Sequence, residues 1–323
     1  MYRTLVSATL GTAALLTAVP AASAATPPAS AASAASGPAA TAAAASVDAA
    51  TRSQVVAPVS GAAVYASYAR GYTVTRYGGR PAVLGKPGES SQFAASPDGR
   101  KVAWITSGGR LQVREGGKTR TVARGLQGST PCLSPVWSPD SRRVAYVGAG
   151  QSEALPVRVV GADGTGARVL GKTRGVCHLA WSPDGRYLAG YAGTTEGVYR
   201  LDARTGKSAK LKGITLANHV QSLSPGGRYV VVHTLRPTDP GGDGVWPTAF
   251  TPSLVDTVTG RRVPIQVKGR QLGAFHLPDG RLVVRVAGRS ANTLVVLDRK
   301  GHQVQRLTEP AAAKSQALLR PLR

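Results

Sequence analysis

The chain has 323 residues, 40 Lys+Arg against 16 Asp+Glu, a formal net charge of +24 and a pI near 11.0. With 42% hydrophobic and 17% charged residues it is not disordered throughout, and its length allows one large all-β domain or two ordinary ones. Its two cysteines exclude a disulfide-dense scaffold and a cysteine-only zinc site.

Residues 1–24 read as a secretory signal peptide. Arg3 supplies the positive start, Leu5 to Val19 a short apolar run, and Pro20 breaks that run before the small-residue cleavage site Ala22-Ser23-Ala24. Residues 25–52 are almost wholly Ala, Ser, Pro and Thr and read as a low-complexity linker. No later stretch approaches the ~20 apolar residues that a transmembrane helix needs. The mature protein is therefore expected outside the cytoplasm, cleaved near Ala24.

Beyond the linker one phrase recurs: Ser96-Pro97-Asp98-Gly99-Arg100, Ser138-Pro139-Asp140-Ser141-Arg142, Ser182-Pro183-Asp184-Gly185-Arg186, Ser224-Pro225-Gly226-Gly227-Arg228 and Leu277-Pro278-Asp279-Gly280-Arg281. Successive prolines are 42, 44, 42 and 53 residues apart, the spacing of propeller blades. A fainter copy starts at Pro58, with Tyr65 seven residues on, the offset at which Trp104 and Tyr146 follow their own prolines. Pro presets φ, Asp accepts backbone N–H groups and Gly supplies a positive φ, so each phrase reads as a hairpin turn between apolar strands. A second hairpin follows each, around Gly78-Gly79, Gly116-Gly117, Asp163-Gly164, Thr205-Gly206, Thr259-Gly260 and Lys300-Gly301. Two hairpins per period make a four-stranded antiparallel blade. Residues 53–310 hold six such periods of 43 residues on average, predicting an all-β, six-bladed β-propeller. Residues 311–323 are left as a C-terminal tail, and the spacing does not say which strand closes the ring.

The repeated Ser-Pro-Asp-Gly-Arg phrase, followed by an apolar strand, resembles the WD40-like repeat of TolB-type six-bladed propellers. The resemblance covers the region after the linker and implies that fold. TolB proteins of Gram-negative bacteria are periplasmic and carry an additional N-terminal α/β domain; here the Ala/Pro/Ser linker takes its place. Prolyl oligopeptidase-type peptidases share similar repeats, but this chain leaves no room for their hydrolase domain.

Catalytic patterns are absent from the sequence: it has no G-x-S-x-G elbow, no H-E-x-x-H pair and no P-loop. The aspartates cluster in turns, where stabilising the turn is their expected role. His178, His219 and His276 precede turn phrases at unequal offsets; His178 and His219 are weak metal candidates and the place where a propeller hydrolase or lyase would have its site. Asp239-Pro240-Gly241-Gly242-Asp243-Gly244 weakly suggests a Ca²⁺ loop but lacks the closing Glu. No cofactor or catalytic residue is assigned.

Cys132 and Cys177 stand one blade apart, before adjacent inner strands, and are expected to form a disulfide in an oxidising compartment. The first-hairpin turns bring Arg100, Arg142, Arg143, Arg186, Arg228 and Arg281 to one face, joined from the second hairpins by Arg261 and Arg262. That predicts a basic annulus suited to an acidic protein or an anionic polymer, with no aromatic platform for specific nucleic-acid recognition. The extra residues of the longest period fall at Thr234 to Pro252, a loop holding Trp246 and Phe250, expected on the opposite face with Trp246 either an exposed anchor for a partner or folded down onto the blade. The expectation is an exported, monomeric, non-catalytic binding propeller of the cell envelope.

Overall fold

The computed structural model describes residues 57–241 and 244–322. The signal-peptide and linker readings, residues 53–56 of the propeller span, and Gly242 and Asp243 of the suggested Ca²⁺ loop lie outside the described residues.

The described chain forms six four-stranded antiparallel sheets. Blade 1 contains β1 (Ala63–Tyr68), β2 (Tyr72–Tyr77) and β3 (Ala82–Gly88), and blade 2 contains β4 (Phe93–Ala95), β5 (Lys101–Ile105), β6 (Leu111–Glu115) and β7 (Lys118–Ala123). Blade 3 follows with β8 (Val136–Trp137), β9 (Arg143–Val147), β10 (Leu155–Gly161) and β11 (Arg168–Thr173). Blade 4 has β12 (Gly175–Trp181), β13 (Tyr187–Ala192), β14 (Val198–Asp202) and β15 (Ser208–Lys210). Blade 5 has β16 (Ala217–Leu223), β17 (Tyr229–Thr234), β18 (Ser253–Asp256) and β19 (Arg262–Val263). Blade 6 has β20 (Gln271–His276), β21 (Leu282–Val286), β22 (Thr293–Leu297) and β23 (Gln303–Thr308). The last strand, β24 (Ala317–Pro321), pairs with β1, so blade 1 takes its innermost strand from the chain's end. Residues 311–323, set apart as a tail by the repeat spacing, thus contain the strand that closes the ring. That strand carries no turn phrase to mark it.

Three of the five turn phrases are built alike. Ser96 Oγ donates to Asp98 Oδ1 and accepts from the Lys101 N–H at 2.9 Å, while Asp98 Oδ1 accepts from the Arg100 N–H at 3.0 Å. Ser138 with Asp140 and Ser182 with Asp184 repeat the device. The fourth turn position needs a positive φ, +64° at Gly99 and +58° at Ser141, the one copy where serine replaces glycine. The phrases also lace neighbouring blades: the Asp98 N–H donates to Ser141 Oγ at 3.0 Å, and the Gly226 N–H to Asp184 Oδ2 at 2.9 Å.

The core lies between blades. On β5, Val102 and Trp104 pack toward blade 1 against Val64 and Val74, while Ala103 and Ile105 pack toward blade 3 against Trp137, Val144 and Tyr146. A strand buried on both faces cannot alternate apolar with polar, which is why the second strands of the blades read as near-continuous apolar runs. Cys132, in the loop before β8, bonds to Cys177 of β12 with Cα atoms 4.6 Å apart, joining blades 3 and 4. Gln92 holds that loop, donating to the carbonyls of Gln127 at 3.0 Å and Leu133 at 3.1 Å.

Closure rests on Arg285 of β21. It is 1% exposed and follows Pro278 by seven residues, the offset that carries Tyr65, Trp104 and Tyr146 elsewhere. Its guanidinium donates to Glu309 Oε2 at 2.9 and 3.1 Å, and to the carbonyls of Ala313 at 2.9 Å, Gln316 at 2.8 Å and Thr248 at 3.0 Å. Glu309 also accepts from Asn292 Nδ2 at 3.0 Å. One side chain therefore fixes both the segment leading into β24 and the base of the long loop.

Arg285→Met is expected to lower stability by about 3–5 kcal/mol, because it strands a buried carboxylate and orphans three carbonyls. Urea unfolding measures the loss, which Glu309→Gln in the same chain should partly relieve, and limited proteolysis should then release the end of the chain first. The disulfide encloses a 45-residue span, so the double Cys132→Ala, Cys177→Ala variant should be about 3–4 kcal/mol less stable under oxidising conditions. Under reducing conditions the two proteins should unfold together.

Candidate functional site

A channel of about 470 Å³ runs along the propeller axis. Each blade's inner strand contributes wall, including Ala94, Val136, Ala180, Ser222, Phe275 and Leu319. Strands alternate in direction across a blade, so first and second hairpin turns share one face, and the channel opens there among Pro97, Pro139, Pro183 and Pro278. The turn carboxylates at this mouth are already engaged. Hydrogen bonds from Ser96, the Arg100 N–H and Lys101 hold the Asp98 carboxyl below its usual range against the opposing effect of burial. Ser138 and the Arg142 N–H act in the same way at Asp140.

The other end is closed by the long loop between β17 and β18. Trp246 is not an exposed anchor: it is half-buried, lines the channel, and stands edge-on to His178 at 5.2 Å and to His219 at 4.8 Å between ring centroids. Phe250 is buried, 5.0 Å from His219. The loop departs from the face opposite the turns, as its place between second and third strands requires. It folds inward because the channel axis offers apolar surface that the two aromatic rings can cover. At its base Asp239 is clamped by Arg236, with 2.8 Å to both the backbone N–H and Nη2.

His178 and His219 are therefore enclosed. His178 sits at a bulge in β12 with φ +45°, and its Nδ1 meets Nδ1 of His219 at 2.7 Å, while Nε2 of His219 faces Gln221 Oε1 at 2.9 Å. The two facing nitrogens share one proton, which leaves no room for a metal between them. No group of three His, Cys, Asp or Glu side chains suited to a metal occurs among the described residues. Burial pulls His178 down to about 4; burial, then the charge of its neighbour, holds His219 well below the ordinary value.

The arginines expected on the annulus differ in exposure and pairing. Arg100, Arg142, Arg143, Arg186, Arg228 and Arg261 are exposed. Arg186 pairs with Asp202 at 3.4 Å, Arg228 with Asp256 at 3.1 Å and Arg143 with Asp140 at 3.9 Å, while Arg100, Arg142 and Arg261 form no ion pair among the described residues. Arg281 is not a surface group: it is 8% exposed and locked to Asp279 at 2.8 Å, because blade 6 has Leu277 where other turns have the serine that engages their Asp. Arg262 leaves the annulus too, its guanidinium reaching Thr234 Oγ1 at the base of the long loop, 3.1 Å away. Sequence reasoning passed over Arg285 and Arg320. Each is a charged residue at a repeat position filled elsewhere mainly by uncharged side chains, and that mismatch was the available signal.

The paired histidines predict acid sensitivity. Unfolded histidine titrates near 6.5 and His178 in the fold near 4, so between those values the unfolded chain binds more protons. Stability is therefore full above the unfolded value and is lost as pH falls toward the folded one, about 2–3 kcal/mol from this residue by pH ~4. Urea unfolding of the parent and of His178→Gln at about pH 7 and about pH 4.5 should show the parent losing more. Equal losses would remove His178 from the account.

No protein-family model and no curated protein matches the sequence. Solved structures do resemble the fold. TolB from Acinetobacter baumannii is 15% identical with a TM-score of 0.50, the match covering 77% of this chain and 63% of that one. A chain of a nidogen/laminin complex is 12% identical (TM-score 0.48; 79% and 96% covered), and a TolB described as putative from Agrobacterium tumefaciens is 16% identical (0.43; 71% and 83%). The chain thus spans 63% of the length of the Acinetobacter protein, and at 15% identity the likeness is one of architecture. In fold, this chain is a TolB-like six-bladed β-propeller.

Proposed function

We propose that this chain is an exported, non-catalytic binding propeller that engages an acidic protein or an anionic polymer of the cell envelope through its turn face. The observation that carries this reading is the imbalance on that face. Arg100, Arg142 and Arg261 are exposed and in no ion pair among the described residues. The aspartates between them are occupied by serine hydroxyls, backbone N–H groups and neighbouring cations. A rigid face on which the turn arginines and lysines outnumber the turn aspartates attracts anions. Export is supported by the signal-like N-terminal sequence and by the Cys132–Cys177 bond, which suits an oxidising compartment. No helix among the described residues is long and apolar enough to cross a membrane.

The test is binding of the purified protein to an isolated envelope fraction across a salt series. The parent should bind at low salt and weaken steadily as salt rises. An Arg100→Glu, Arg142→Glu, Arg261→Glu variant should bind at least about tenfold more weakly while unfolding at the same urea concentration, since exposed charges contribute little to stability. Salt-independent binding, or an unaffected triple variant, would remove the turn face from the function.

A further inference from the structure

A second cation lies inside the channel rather than on the face. Arg320 of β24 pairs with Val64 across the closing sheet, the register at which the other inner strands carry Ala94, Val136, Ala180, Ser222 and Phe275. It lines the channel and makes no side-chain hydrogen bond or ion pair among the described residues. Burial alone draws its guanidinium down to about 10, so it remains charged at neutral pH. Arg285 shows what a structural arginine looks like in this fold: a carboxylate and three carbonyls answer it. Among the described residues no side-chain hydrogen bond or ion pair answers Arg320. Ala94 in neighbouring blade 2 is too small to cover it.

Other donors line the same channel. His276 in adjacent blade 6 has both ring nitrogens buried and without a hydrogen bond, and Trp181 Nε1 on blade 4 is likewise unpartnered. Between these donors the wall is apolar, with Phe275, Leu319 and Trp246. Asp98 and Asp140 also reach the channel, but their oxygens are held by their own turns. A half-buried cation in a cavity, with no counter-charge among the described residues, favours a site that an anion joins, and unpartnered donors lining one cavity with apolar wall between them suit a small-molecule site.

We propose that the channel binds a small organic anion, its carboxylate on Arg320 with His276 and Trp181 as further donors, and its apolar body against Phe275, Leu319 and Trp246. This site is separate from the face reading and stands or falls without it, since the test uses a purified protein and no envelope component.

Calorimetric titration with benzoate supplies a carboxylate on a flat apolar body, and titration with inorganic phosphate supplies the anion alone. Benzoate should bind in the millimolar range or tighter, and more tightly than phosphate. Arg320→Met should weaken it by about tenfold or more, the loss of one charge-assisted hydrogen bond, whereas Arg142→Gln on the outer face should change it by less than about twofold. Without ligand, Arg320→Met should melt no lower than the parent, because no partner is stranded. The proposal is overturned by an absence of benzoate binding in the parent, by binding kept in Arg320→Met, by equal loss in Arg142→Gln, or by phosphate binding the more tightly. A clear drop in the melting temperature of unliganded Arg320→Met would overturn it too, by revealing a structural role.

Discussion

Ring closure is the constraint on which the rest of this molecule depends. Each blade has two apolar faces and can bury them only against neighbours, so blade 1 needs blade 6 as much as blade 2. The chain meets that need with one short strand, β24, laid against β1 and held through Arg285. The cost of removing a guanidinium from water is offset because Glu309, Ala313, Gln316 and Thr248 together meet its hydrogen-bonding capacity. The same residue ties Thr248 to the closing segment, and Trp246 lies two residues away. Closure of the ring and closure of the channel's far end are thus mechanically joined.

The repeat was legible because each residue of the turn phrase acts locally. Ser96, Pro97, Asp98 and Gly99 set φ, accept backbone N–H groups and bond to each other within five residues, so the sequence alone identifies the hairpin. Blade number and strand order follow from counting. The disulfide was legible for a related reason, since residues one repeat apart occupy equivalent places on adjacent blades. The closing strand was not, because Ala317–Pro321 pairs with residues more than two hundred positions away and carries no turn. The direction of Trp246 was also hidden. A tryptophan in a Pro- and Gly-rich loop reads as exposed until the channel is known to offer His178 and His219 as its floor.

Arginine composition misled in a comparable way. Counting turn arginines placed Arg281 and Arg262 on the annulus, but a side chain of that length takes the nearest strong acceptor. For Arg281 this is Asp279, in the turn where Leu277 stands in place of serine, and for Arg262 it is Thr234, at the base of the long loop. What remains exposed and in no ion pair is a smaller set than the sequence suggested, and a better-defined one.

The two ends of the channel are unlike, and the difference carries a direction. One end is sealed by aromatic rings against a neutral histidine pair; the other opens among the turns of a protein with a net charge of +24. Low-dielectric walls focus the field of nearby charge along such an opening, and the cation it leads to is Arg320. As proposed, outer face and inner cavity favour the same sign of charge for different physical reasons. On the face, the cause is an excess of arginine and lysine over aspartate in the turns; in the cavity, it is one guanidinium at a register where the other blades place small or apolar side chains.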